Sequence, residues 1–284
     1  MTEHAHSLTL QAQHITPALA AQLANQCRAT ELICLNPFAY RLLGLNQVDH
    51  AATVLQFSQQ HQLDVAWVPR SRRLDALGLI ATDMDSTLIT IECIDEIADL
   101  HGLKSEVAQI TESAMRGELD FRASLTRRVA LLKGLDASAL HQVFDHRLRL
   151  SPGAKELLQA VKAAGIRTVL VSGGFTYFTD RLQQELPIDF TRANVLDIVD
   201  GKLTGLVIGD IIDATIKRQT VETECAALNL PSSAAMVIGD GANDLDMMSV
   251  AGLSVAYRAK PVVQQTADIA LNFSGLDAVL NLFR

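Results

Sequence analysis

Clusters of basic residues are missing from this chain. Its 24 Lys and Arg stand against 32 Asp and Glu, a net charge of −8, and no stretch gathers the cations into a stripe. Binding a nucleic-acid backbone needs such a stripe, so nucleic acid is not expected as a partner. Long apolar runs are also absent. The opening MTEHAHSLTLQAQ has neither a basic leader nor an apolar stretch, and no run reaches bilayer length, so the expectation is a cytoplasmic protein without a membrane partner. Cysteine is sparse: Cys27, Cys34, Cys93 and Cys225 lie far apart without C-x-x-C spacing. That excludes a disulfide framework and a cysteine zinc site, and leaves them as small, mostly buried apolar residues. What remains is 49% hydrophobic and 20% charged over 284 residues, the composition of a globular chain with one large or two modest domains.

Three patterns follow one another. Up to about Pro69, strand-like SLTLQAQ, ELICLNP and LDVAWVP alternate with helix-like PALAAQLANQC and QVDHAATVLQFSQQHQ, which predicts a small α+β domain over residues 1–72. The polar, basic PRSRRLDALG reads as a linker. Residues 91–150 contain no strand-like run but show four helical stripes: Ile94, Ile97 and Ala98; Val107 and Ile110; Leu125, Val129 and Leu132; and Leu140, Val143 and Phe144. From Ser151 onward helix and strand alternate, which predicts a parallel sheet covered on both faces. Within ANVLDIVDGKLTGLVIG, Asp200 and Gly201 signal an edge hairpin.

The chemistry gathers where strands end. In LIATDMDSTLITIE an apolar run delivers Asp83 and Asp85 to a strand terminus. Carboxylates two apart on extended chain point the same way, and leaving both bare is costly unless a cation or a reaction uses them. Magnesium takes hard oxygen ligands together with substrate phosphates, which suggests phosphoryl chemistry. Asp-Ser-Thr also makes turns and helix caps, so the pair alone leaves both readings open. VLVSGGF offers Ser172 and two glycines whose N–H groups can approach an anion. Lys217 follows the hairpin, where a lysine is usually a solvated surface residue. VIGDGANDLDMM concentrates Asp240, Asn243 and Asp244 at another strand-to-helix junction, and Asp240 would complete a metal site. In open α/β sheets, ligands bind beyond the carboxyl ends of the strands, where these motifs converge. None of the eight histidines lies in them, which disfavours a histidine-based phosphatase.

DMDST, SGG, Lys217 and GDGAND in this order resemble the haloacid dehalogenase (HAD) superfamily. With MRGELDFRASLTRRVALLKGL and DGKLTG, residues 79–284 are similar to its phosphoserine phosphatase family. The resemblance implies an α/β fold: a HAD-like Rossmannoid parallel-sheet core with a four-helix cap inserted at about 91–150. It implies Mg2+-dependent hydrolysis of O-phospho-L-serine through an aspartyl-phosphate. Asp83 would be the nucleophile and Asp85 the acid and base. Mg2+ would sit on Asp83, the Asp85 backbone carbonyl and Asp240, supported by Asp244. Ser172, Gly173, Lys217 and Asn243 would hold the phosphoryl group. Glu92 and Arg128 would read the substrate ammonium and carboxylate, and Met115 and Phe121 would wall the pocket. The order of elements in residues 1–72 resembles an ACT-like module. Serine as an effector and a homodimer are the expectations it carries, with a docking or solubilising role as the alternative. A different phosphomonoester or acceptor, or an amino-acid sensor without catalysis, are the rival functions.

Overall fold

The computed structural model describes residues 6–283, apart from the Met115 side chain. The N-terminal unit runs β1 (His6–Gln11), α1 (Pro17–Gln26), β2 (Glu31–Asn36), β3 (Ala39–Leu43), α2 (Gln47–His61) and β4 (Asp64–Pro69). Its four strands form an antiparallel sheet in the order β2-β3-β1-β4. This fits an ACT-like α+β domain, with one correction to the sequence reading: β3 was not anticipated. AYRLL is short and carries Arg41 in its middle, so it lacks an apolar alternation. Arg41 is buried because its guanidinium reaches the carbonyl oxygens of Asn281 and Phe283 at 2.6 and 3.1 Å. Thr16 and Asn46 cap α1 and α2 by accepting the N–H groups of Leu19 and Val48. Both helices pack Leu23, Val54 and Phe57 on Leu8, Leu10 and Leu42 of the sheet.

The second unit opens with β5 (Leu79–Thr82). Four cap helices follow: α3 (Cys93–Leu100), α4 (Lys104–Met115), α5 (Phe121–Leu131) and α6 (Ser138–Gln142). The chain then alternates through α7 (Ala154–Ala163), β6 (Arg167–Phe175), α8 (Thr176–Glu185), β7 (Phe190–Val199), β8 (Lys202–Ile208) and α9 (Ala214–Ala227). It closes with β9 (Ala235–Gly239), α10 (Leu245–Met248), β10 (Leu253–Tyr257), α11 (Pro261–Thr266) and β11 (Ile269–Leu271). The sheet order is β11-β10-β9-β5-β6-β7-β8, parallel except for the β7–β8 hairpin. That hairpin turns through Asp200 and Gly201 at φ 51° and 75°, the left-handed pair a tight two-residue turn requires.

Alternate residues of the central strands serve two cores. Ile80, Leu170, Met236 and Ile238 face one side with the cap, α7 and α8, whereas Leu79, Ala81, Val169 and Val237 face α9 on the other. From β5 the chain builds outward through β6 and β7, then returns to place β9 on the opposite flank. The carboxyl end of β5 is therefore the switch point where a crevice opens. The cap is tied across that crevice at two places. Its entry and exit pair through Ile89 and Leu150, with the Thr90 N–H donating to the Arg149 carbonyl at 2.9 Å. Residues 134–137 also add themselves to the hairpin tip, where the Gly134 N–H donates to Leu203 O at 2.7 Å and the Ala137 N–H to Gly201 O at 2.8 Å. Among the described residues no helix is long and apolar enough to cross a membrane.

Candidate active site

The centre of the crevice is a buried lattice of charge. Asp83 lies one residue beyond β5 and still donates its N–H to Ile238 O, which fixes its backbone against β9. Its Oδ1 accepts the Met84 N–H at 2.7 Å and stands 2.9 Å from the Lys217 ammonium. Lys217 is 0% exposed. It lies in the first turn of α9 and donates a second bond, 2.7 Å, to Asp244 Oδ1. The other oxygen of Asp244 accepts the backbone N–H groups of Asp240 and Gly241, so both its oxygens are engaged. Among the described residues the Asp240 carboxylate accepts a single bond, 3.2 Å from Thr87 Oγ1.

Oxygen atoms of Asp83, Asp240 and Asp244 lie within 4.8 Å of one another. Three carboxylates against one lysine leave the crevice two negative charges in excess, which is the deficit a divalent cation balances. The same crowding raises the carboxyls: burial and then Asp244 push Asp83 well up against the opposing pull of Lys217, and burial and Asp244 bring Asp240 to about 6. Burial by itself lowers the Lys217 pKa, but the two carboxylates on it outweigh that and keep it charged. The residues present therefore fit a hard divalent cation, with Asp244 already committed to Lys217 and to backbone N–H groups.

Asp85 shares its burial with Asp83 but not its partners. No cation pairs with it, one oxygen accepts the Cys93 N–H at 3.3 Å, and the other is buried without a partner. Burial, then repulsion from Glu92, raises it to about 8, so it holds a proton at neutral pH. After Asp83 the chain makes a wide turn, Met84–Leu88, which carries Asp85 and in which Ser86 adopts a left-handed φ of 55°. Ser86 Oγ donates to Glu92 Oε1 at 2.7 Å, which ties the start of the cap to this turn.

Ser172 and Gly173 lie within β6, where pairing with β7 is interrupted between Val171 and Phe175. Ser172 Oγ accepts the Gly174 N–H at 2.8 Å. A Cβ on Gly173 would stand 2.8 Å from the Phe121 ring, and one on Gly174 would stand 2.8 Å from Met84 and 3.2 Å from Asp85. Only glycine lets the cap phenyl ring and the acid approach so closely. Phe121 is thus brought against the Ser172–Gly174 segment. Met115 ends α4, and its side chain lies outside the described residues. Asn243 is half-buried in the turn after β9, and the bare Cα of Gly241 lets its amide fold back. From the cap, α5 directs Arg128 inward with a buried Nε that has no partner. Burial lowers its pKa, and Asp95, Glu92 and Asp85 oppose the shift.

Residues 77–252 match the family model of haloacid dehalogenase-like hydrolases. A phosphoserine phosphatase from Polaromonas sp. is 54% identical over 217 residues, covering 75% of this chain and 92% of that protein. The chain belongs to the phosphoserine phosphatase branch of the haloacid dehalogenase-like hydrolases. Among solved structures, a Vibrio cholerae chain described as a probable phosphoserine phosphatase superposes with a TM-score of 0.84 at 38% identity, covering 98% of this chain and 86% of that one. A phospho-aspartyl intermediate analogue of a phosphoserine phosphatase gives 0.69 at 36% identity, covering 73% and 99%.

The structure also brings forward residues of this HAD-like hydrolase that motif reading passed over. Asn194, on β7 and 1% exposed, donates to the Gly173 carbonyl at 2.8 Å while its oxygen accepts the Ile212 N–H at 2.9 Å. It orients the Gly173 peptide and anchors the approach to α9. Asp213 caps α9 by accepting the Ile216 N–H and meets Arg122 of the cap at 2.7 Å. Asp95, three residues beyond Glu92, has a buried Oδ1 without a partner, and burial and Glu92 raise its carboxyl. A polar residue in an amphipathic stretch reads as solvated, and no local signal marked Asn194 or Asp95. Lys217 was legible only through the family pattern, because local sequence places a lysine in solvent.

Proposed function

We propose that this chain is a phosphoserine phosphatase, hydrolysing O-phospho-L-serine to L-serine and phosphate with Mg2+ as cofactor. The observation that carries this reading is the contrast in partners of the two aspartates, Asp83 clamped by Lys217 and Asp85 buried without a cation and raised to about 8. A covalent phosphoryl transfer needs that division of labour. The similarity to phosphoserine phosphatases and the inward Arg128 support the substrate. We assign residues 1–72 to an ACT-like regulatory or dimerisation module and 79–284 to the phosphatase domain, with the cap at about 91–150.

Asp83 attacks phosphorus in line with the serine oxygen, and the bond to serine breaks as Asp85 passes its proton to that oxygen. Asp85, now a carboxylate, takes a proton from water as the water attacks the aspartyl-phosphate, releasing phosphate and restoring Asp83. Lys217, Ser172, the Gly173 N–H and Asn243 hold the phosphoryl oxygens in place. Asp83, Asp240 and the Asp85 carbonyl would hold Mg2+, with Asp244 fixing their geometry. When bound, the ion neutralises charge developing on the phosphoryl group. Arg128 clamps the carboxylate and Glu92 pairs with the ammonium, while Phe121 and Met115 wall the space around them.

Phosphate release from O-phospho-L-serine, O-phosphothreonine, sugar phosphates and nucleotides, with Mg2+ or EDTA, tests the reading. Strong preference for phosphoserine that disappears with EDTA and in Asp83→Asn supports it. Broad hydrolysis would transfer the chemistry to another phosphomonoester, and none at all would favour a sensor.

A further inference from the structure

Strand β8 ends the seven-stranded sheet, and its hairpin with β7 has one covered face and one bare face. On the covered face Leu196 and Leu203 are buried. The end of α5 and the turn after it lie so close there that a Cβ on Gly205 would stand 2.9 Å from Lys133 and 3.3 Å from Ala130. Pairing of Val195 with Ile208 and of Val199 with Lys202 sets Val195 and Val199 beside Leu206 and Ile208 on the opposite face. Val195, Val199, Leu206 and Ile208 are 41, 55, 60 and 52% exposed. The polar pair among them is satisfied internally, because Thr204 Oγ1 donates to Asp197 Oδ2 at 2.9 Å. Among the described residues ten large apolar side chains are exposed, and five belong to this one hairpin, the fifth being Ile198. Exposed apolar residues are ordinarily scattered singly, and a contiguous group of them marks an interaction surface.

Charge and strand direction select the occupant. Addition of a further strand is closed off at the hairpin tip, where residues 134–137 already hold the edge and the Leu203 N–H donates to Leu135 O at 2.9 Å. The face itself remains free. Lys202 opens β8 and Asp210 lies two residues past its end, and no charged residue stands between them. Both are exposed. A strand with a cation at one end and an anion at the other is complementary to its own antiparallel copy. Turned about a two-fold axis, each Lys202 comes to the Asp210 end of the partner while the apolar middles meet. A parallel copy would bring like charges together. Sheet faces interdigitate in this way at a spacing of about 10 Å without using either edge.

We propose that the outer face of the β7–β8 hairpin is a homotypic interface, occupied by the same face of a second copy of this chain in antiparallel register with Leu206 at the axis. The interface is independent of the role of the N-terminal unit and of the substrate assignment.

Sedimentation velocity of the full chain over a wide range of concentration tests it. The expected result is a concentration-dependent assembly whose mass falls by half in Leu206→Thr/Ile208→Thr, which keeps strand-forming residues in place. Val262→Thr, at an exposed apolar residue elsewhere, should leave the assembly unchanged. Lys202→Asp should weaken association at least about tenfold, and Lys202→Asp/Asp210→Lys should regain it. A single chain at every concentration, a mass that the hairpin variant leaves unchanged, or an equal loss in Val262→Thr would overturn the interface. Indifference to Lys202→Asp, or failure of the double reversal to restore what the single one loses, would overturn the antiparallel register. Melting followed by circular dichroism checks that each variant folds. Phosphoserine turnover is read separately, so failure of the substrate assignment remains distinguishable.

Discussion

The two walls of the catalytic cleft are built on opposite principles. On the core wall, Lys217 ties Asp83 to Asp244, Asp244 grips two backbone N–H groups, and Asn194 fixes the Gly173 peptide. On the cap wall, Arg128 Nε and Asp95 Oδ1 are buried without partners. The core wall is organised before any ligand arrives, which suits electrostatic stabilisation of a transferring phosphoryl group. The cap wall carries unmet polar groups, and leaving these unpaired penalises a ligand that lacks the complementary atoms. On the proposed function, chemistry and selectivity reside on separate elements joined where Ile89 pairs with Leu150.

The comparison breaks first at the core. Asp83→Asn is expected to lower kcat by at least about 10³-fold, because the nucleophile has no substitute. A stopped assay with circular dichroism checks that the fold persists. Lys217→Ala should both inactivate and destabilise, since it strands two buried carboxylates, at a cost of about 3–5 kcal/mol. Urea titration reads this, and an unchanged midpoint would mean that the lattice is not structural.

Asp85 gives a pH-dependent contrast. Its carboxyl holds its proton to about 8 in the fold but ionises near the ordinary value of 3.8 when unfolded, so the unfolded state releases a proton that the native state keeps. Its contribution to stability is complete below pH 3.8 and fades as pH rises through about 8. Metal-free Asp85→Asn should therefore melt progressively higher than the parent as pH goes from 5 to 8.5, with the two curves converging in acid. Parallel Tm curves across that range would refute the assignment.

The cap wall should fail selectively. Arg128→Ala is expected to raise KM for phosphoserine about 10- to 100-fold but to alter O-phosphoethanolamine hydrolysis little, because that substrate has no carboxylate to clamp. Equal losses on both substrates would place Arg128 in the general architecture. The smallest effect is expected at Asn194→Ala, which leaves the Gly173 carbonyl and the Ile212 N–H unpaired. A cost of about 1–3 kcal/mol in stability should come with lower kcat and little change in KM.

How much of this was legible in the sequence varies residue by residue. DMDST and GDGAND announce themselves because several oxygen-bearing side chains crowd a strand end, and the Asp200–Gly201 turn because a tight hairpin demands left-handed residues. Strand β3 escaped notice, since Arg41 interrupts its pattern and reaches carbonyls 240 and 242 residues away. Asn194 escaped for the same reason, its two partners lying on β6 and before α9.

The sequence by itself determined the order of elements, the two-sided parallel core and the residue types able to do phosphoryl chemistry, because hydrophobic periodicity and strand-end polarity are local properties. Only the tertiary structure decided that Lys217 is a buried clamp on Asp83, that Asp85 is buried without a cation, and that Asp244 serves Lys217 and the backbone. Each depends on desolvation and on distances between segments far apart in the chain, quantities that arise only when the sheet brings the ends of β5, β6 and β9 together.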